Sequence, residues 1–308
     1  PIMKHIYTFL VVSVLAAGNA SFAQTAQFLT LSTDTRTLSM GGTGVVAPAN
    51  AFSLYNNNAA AALSPGKGAL AASYTLWQPG ATGSNLANLS GFFKIGKKSA
   101  FLIGSRFHLN SPYNITNEHG SITGTYRPME LSIDLGYAFK ITETFSTAAT
   151  LRYVISRMGE DASGGAFAAD LGVIYKPGNF SLGLTATNLG SKIDYGYGPY
   201  ELPAQIRLGA GYGFHAGEKH FLCAAAQTGY LIKNSGFTAG IGLEYVYNGM
   251  VSARLGGHYG DPEKGIPPHL SVGLGFTYRG LSLNAAYLAG QKGSAVSNSL
   301  SFGLEWAF

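Results

Sequence analysis

Fourteen times between Gly68 and Phe308 the sequence falls into a run in which every second residue is apolar. A strand turns successive side chains to opposite faces, so such a run has one greasy face and one polar face. The last run shows it most clearly. Leu300, Phe302, Leu304, Trp306 and Phe308 alternate with Ser299, Ser301, Gly303, Glu305 and Ala307. Runs of about ten residues suit a tilted strand crossing a bilayer. An open sheet of long, half-apolar strands would leave aggregation-prone edges. Closure into a barrel removes the edges, and lipid then covers the apolar face. The expected fold is therefore all-β: a transmembrane antiparallel β-barrel of about 14 strands over residues 67–308.

The connections give the orientation. Six are short: Gly96-Lys97-Lys98, Ile141 to Thr144, Lys176 to Asn179, His215 to Lys219, Asn248-Gly249 and Arg279-Gly280. Asn-Gly and Pro-Gly are dipeptides that tight turns favour. The connections between them are longer: Asn110 to Arg127, Arg157 to Gly164, Gly190 to Pro203, Gly260 to Pro268 and Gly290 to Val296. Lys233-Asn234-Ser235 is the exception. Short turns on the periplasmic side and long loops outside are the pattern of an outer-membrane barrel.

Composition excludes several alternatives. The chain is 46% hydrophobic but only 11% charged, against roughly 25% charge in soluble domains. Past the N-terminus it has no unbroken apolar stretch of about 18 residues, so no membrane helix is expected. Met3-Lys4-His5, the apolar run Ile6 to Ala17 and the small residues up to Ala23 predict a signal peptide over residues 1–23. The net charge of +5 is dispersed, without the clustered patch that nucleic-acid binding needs. The lone Cys223 cannot form an internal disulfide and is expected to be a small strand residue.

The parity opposite to the apolar one carries Arg106, His108, Glu130, Asp134, Arg152, Asp170, Arg207, Glu244, Arg254, His258 and Glu305. Arginines facing acids inside a narrow lumen predict a hydrogen-bonded network that braces the interior; a charged-ligand site is the alternative. Nucleophilic catalysis needs a base beside its nucleophile and a third group to orient the base. His108 lies near an outer rim with Ser111 close in sequence, but no acidic orienter is evident. No catalytic residue is assigned, and the chain is not expected to be an enzyme. Glu160-Asp161 and Asp261 are too few for a calcium cage. Gly41-Gly42-Thr43-Gly44 lacks the Lys-Ser/Thr of a phosphate loop. Neither a metal nor a cofactor is expected.

Residues 24–66 lack the period of two and predict short helices and turns outside the wall. They hold Ala26-Gln27-Phe28-Leu29, the run Asp34 to Gly42, and the run Ala51 to Ala60. Together these resemble the N-terminal region of the PorV/PorQ family, within the FadL-like group of fourteen-stranded barrels. Asn188 to Ile193, Leu202-Pro203 and Arg207-Leu208-Gly209 are similar to that family's mid-barrel signature. One departure is Asn58-Ala59-Ala60, where the family usually has Asn-Pro-Ala. The resemblance implies that residues 24–66 form a plug or hatch, with Met40, Gly41, Gly42 and Asn58 as its motif. It implies an accessory or scaffold role in type IX protein secretion, or alternatively a FadL-like channel for hydrophobic small molecules. Outer loops under twenty residues and a polar inward face favour the scaffold. Trp306 and Phe308 resemble the C-terminal signal read by outer-membrane assembly machinery. The expected partners are that machinery, membrane lipid and an envelope protein complex. Tyr195 to Tyr200 and Pro262 to Pro268 are candidate docking loops.

Overall fold

The structure, a computed structural model, describes residues 25–77, 79, 83–264, 266–292, 294 and 296–308. The signal peptide expected over 1–23 lies outside them. The strands in chain order begin with β1 (Gly68–Trp77), β2 (Ser84–Ile95), β3 (Ser99–Leu109), β4 (Tyr113–Thr116), β5 (Ile122–Tyr126) and β6 (Met129–Lys140). Then come β7 (Phe145–Arg157), β8 (Ser163–Tyr175), β9 (Phe180–Gly190), β10 (Ile193–Asp194), β11 (Pro199–Tyr200) and β12 (Gln205–His215). The last are β13 (His220–Leu231), β14 (Gly236–Tyr247), β15 (Val251–Tyr259), β16 (His269–Tyr278), β17 (Leu281–Gly290) and β18 (Ser299–Ala307).

Fourteen of these close into one antiparallel barrel, in which β18 returns to pair with β1. They are the fourteen periodic runs. Two loops carry small hairpins of their own, β4 with β5 and β10 with β11, where the sequence had suggested plain connections. Among the described residues no helix is long and apolar enough to cross a membrane. The strands cross instead. Leu151, Phe167 and Leu270 are about 70% exposed on the outer face, a cost in water and none in lipid.

Closure is completed by backbone bonds at the last residue. Phe308 N donates to Gly68 O at 3.0 Å, and Lys67 N and Gly68 N donate to Phe308 O at 2.8 and 3.1 Å. Ala307 N donates to Gly280 O at 2.8 Å, and the Trp306 and Phe308 rings lie 5.0 Å apart. Removing Trp306 to Phe308 deletes these bonds, each worth about 1 kcal/mol net, and opens the seam to water and lipid. The truncated chain is expected to be depleted from the outer membrane and to lose the gel-mobility shift that heating gives a folded barrel. Normal amounts of heat-modifiable protein would show the terminal aromatics to be dispensable.

Residues 25–66 thread the lumen from the outer side to the periplasmic side. Thr25 N donates to Glu201 O in the loop after β9, and Lys94 Nζ, beside the β2–β3 turn, donates to Ser64 O at 2.6 Å. Between those ends lie α1 (Thr35–Ser39), α2 (Ser53–Asn56) and a 3-10 turn (Asn58–Leu63). The wall is rich in glycine where this segment touches it. A Cβ on Gly256 would overlap the backbone of Gly41, and one on Gly183 would come within 2.6 Å of Val45 O. Glycine there lets main chain lie directly on main chain.

Candidate functional site

The site is the interface between the plug and the lumen wall. Asp34, buried, organises the plug itself. It caps α1 by accepting from Arg36 N at 3.0 Å and Thr37 Oγ1 at 2.8 Å. It also accepts from Asn50 Nδ2 and Asn56 Nδ2 at 3.0 and 2.8 Å, which ties the two halves of the plug together. Asp before Thr-x-Thr is a capping signature legible in the sequence.

Two ion-pair clusters brace the lumen, and the expected network divides between them. In the first, Arg152 joins Asp134 and Asp170. Its Nε bonds Asp134 Oδ1, its Nη2 donates to Asp170 Oδ2 at 2.7 Å, and its Nη1 reaches Asn188 Oδ1. Asn188 sits at φ +59° in a bulge where the β8–β9 register shifts between Ala169 and Leu171. The bulge turns its side chain inward, and its N–H donates to Asp170 Oδ1 at 2.7 Å. From the plug, Tyr55 OH donates to Asp134 Oδ2 at 3.2 Å.

In the second cluster, Glu244 is shared by two arginines. Arg254 Nε donates to it at 2.6 Å from the neighbouring strand, and plug residue Arg36 grips both its oxygens at 3.0 and 2.5 Å. Arg36 is the plug's main electrostatic anchor. The sequence showed it only as part of a motif.

Arg106 and Arg207 bond plug carbonyls rather than the acids of the wall. Arg106 Nη1 donates to Leu29 O at 2.9 Å, with its guanidinium 4.2 Å above the Tyr55 ring. Arg207 Nη2 donates to Tyr55 O and Asn56 O, both at 3.2 Å. These two hold the plug by its carbonyls. Glu130 belongs to neither cluster and accepts from His108 Nδ1 at 3.1 Å. Glu305 accepts from Ala51 N at 3.1 Å, and His258 Nδ1 lies 3.2 Å from Gly41 O.

Met40, Gly41, Gly42 and Asn58 lie against the wall. Met40 is buried, Gly41 N donates to Ser271 Oγ at 3.1 Å, and Gly42 faces the His258 ring. Asn58 Nδ2 donates to Thr150 Oγ1 at 2.9 Å. Ala59 N donates to the Asn57 side chain at 3.2 Å and so caps the 3-10 turn. A proline at position 59 could not make this hydrogen bond.

The two candidate docking loops fold inward in part. Tyr195 is buried, its hydroxyl donating to Ser156 Oγ at 2.8 Å, whereas Tyr197 is 77% exposed. Ile266 and Pro267 line a cavity beneath the outer loops. On the same rim, a hydrogen bond from Lys192 holds the Glu201 carboxyl below the usual range, with Lys233 assisting. The outer cavity measures about 180 Å³ and is bordered by Arg106, Arg152, Asp170 and Arg207. A second, of about 230 Å³, lies on the periplasmic side against Arg36, Arg254 and Glu305. The two share no lining residue.

A family model described as type IX secretion system protein PorV matches residues 16–233. The fold is similar to TodX, a toluene transporter of Pseudomonas putida, with a TM-score of 0.62 at 15% identity, over 89% of this chain and 96% of that one. It is similar to TbuX, a toluene transporter of Ralstonia pickettii, with a TM-score of 0.64 at 13% identity, over 89% and 98%. A FadL homologue of Pseudomonas aeruginosa gives 0.57 at 14% identity, over 89% and 95%. At these identities the likeness speaks for the fold. No curated protein matches the sequence.

Proposed function

Since the chain belongs to the PorV family of outer-membrane barrels, we propose that it acts as an accessory scaffold of a type IX protein secretion machine. Family and fold are those of a secretion component or a channel. One observation carries the choice between them. The plug is bonded to the wall along its length, and beside it, among the described residues, lie two separate cavities of about 180 and 230 Å³. Small-molecule sites usually run from roughly 300 to 1,000 Å³ and are mostly apolar. A rigid, filled barrel instead offers its surface and loops to partners in an envelope complex.

The alternative is a FadL-like channel for hydrophobic compounds, and the volume of the outer cavity favours it in one respect. A cavity of about 150 Å³ can hold benzene when its walls are apolar. Here Arg106, Arg152, Asp170 and Arg207 border the space, and an apolar guest would meet charged groups it cannot solvate.

Deletion of the gene in its native cell distinguishes the two. Loss of cargo from the cell surface, with accumulation in the periplasm and rescue by the intact gene, is expected. Normal surface delivery together with lost uptake of hydrophobic compounds would favour the channel.

A further inference from the structure

At the outer end of β2, β3 and β6, three lumen-facing side chains stand in line. Ser84 Oγ lies 2.9 Å from His108 Nε2, and His108 Nδ1 lies 3.1 Å from Glu130 Oε2. His108 and Glu130 are direct partners across the β3–β6 ladder. Phe28 of the plug stacks on the imidazole at 5.9 Å and 5° between planes. Glu130 also accepts from Asn110 Nδ2 and Ser156 Oγ, each at 3.3 Å. Its carboxylate and the ring are therefore both fixed.

The protons follow from the groups. An ionised carboxylate only accepts, so the Nδ1 proton points to Glu130 and leaves a lone pair on Nε2. Ser84 must then donate its hydroxyl proton to Nε2. That is the order of nucleophile, base and orienting acid in acyl transfer. Exposure is graded along the line. Glu130 and His108 are buried, while Ser84 is half-buried. Arg127 Nη2 donates to Gly83 O at 2.8 Å, which brings a positive charge to the residue before Ser84.

We propose that Ser84, His108 and Glu130 form a serine-hydrolase site for carboxylic esters at the outer rim, independent of the secretion role. Ser84 Oγ bonds to the ester carbon as its proton passes to His108 Nε2. The tetrahedral adduct collapses, the carbon–alkoxy bond breaks, and His108 gives the proton to the departing alcohol. Water then attacks the acyl-Ser84, its proton passing through His108 back to Ser84 as the carboxylic acid leaves. Glu130 is the positioning residue. Ser111, three residues after His108 in the chain, takes no part.

The test uses the full-length, folded barrel in detergent and a fluorophosphonate probe, with the labelled residue identified by mass. One phosphonyl adduct on Ser84 is expected, formed about 10²–10⁴-fold more slowly in His108→Gln. Slower labelling is also expected in Glu130→Gln, and unchanged labelling in Ser111→Ala. Hydrolysis of p-nitrophenyl butyrate should be lost in Ser84→Ala. The heat-induced mobility shift establishes that each variant is folded. A folded wild-type barrel without an adduct on Ser84, or one labelled equally fast in His108→Gln, overturns the proposal.

Discussion

A barrel lacking residues 25–66 is expected to conduct ions across a planar bilayer, whereas the intact chain should conduct almost none. Eight strands enclose only side chains and sixteen leave a water-filled channel, so fourteen have room to spare once emptied. The wall should survive the loss because most of its buried charges are paired within the wall. Arg152 with Asp134 and Asp170, and Arg254 with Glu244, are contacts between strands. Arg106, Arg207 and Lys94 lose plug carbonyls and Glu244 loses Arg36 while keeping Arg254, and incoming water replaces the lost partners. The heat-induced shift on a gel checks that the emptied barrel is folded. A folded, emptied barrel that stays silent in the bilayer would mean that wall and loops alone close the lumen.

The second large effect is expected at Arg152, the largest fully buried side chain of the described residues. Arg152→Leu leaves Asp134 and Asp170 buried without a cation. Breaking a buried pair by removing one partner costs about 3–5 kcal/mol, so the temperature at which heat-modifiability is lost should fall markedly. Replacing both aspartates by asparagine in the same variant should recover much of the loss, because no uncompensated charge then remains. The turn pair Lys140–Glu143 is the control. Its 2.7 Å contact draws the Glu143 carboxyl below the usual range, but Glu143 is solvated and screened. Glu143→Gln should leave the transition unchanged. An Arg152→Leu barrel as stable as the parent would mean that the carboxylates find other partners.

Strand parity was legible because lipid and lumen impose it at every second position. It assigns Arg106, Arg152, Arg207 and Arg254 to the inner face. Parity gives a face and not a partner. Asp134 and Asp170 are occupied by Arg152, which lies across one ladder from each, so Arg106 and Arg207 turn to plug carbonyls instead. The grip of Arg36 on Glu244 spans 208 positions, and no local pattern reports a contact at that separation. Glu130 escaped notice as the partner of His108 for a related reason. The two meet across a connection of unknown register that carries its own hairpin, β4 with β5. Ser84 was missed because the apolar alternation that marks β2 becomes visible only from Ala87 onward. Loop composition likewise did not foretell that Tyr195 folds in while Tyr197 stays out.

The most direct test of the scaffold role is the mass of the particle that mild detergent releases from native outer membranes. The predicted result is a stoichiometric assembly of this barrel with larger envelope proteins, its lumen free of any hydrophobic compound. A solitary barrel carrying a bound hydrophobic molecule, with no protein partner at any detergent strength, would contradict it.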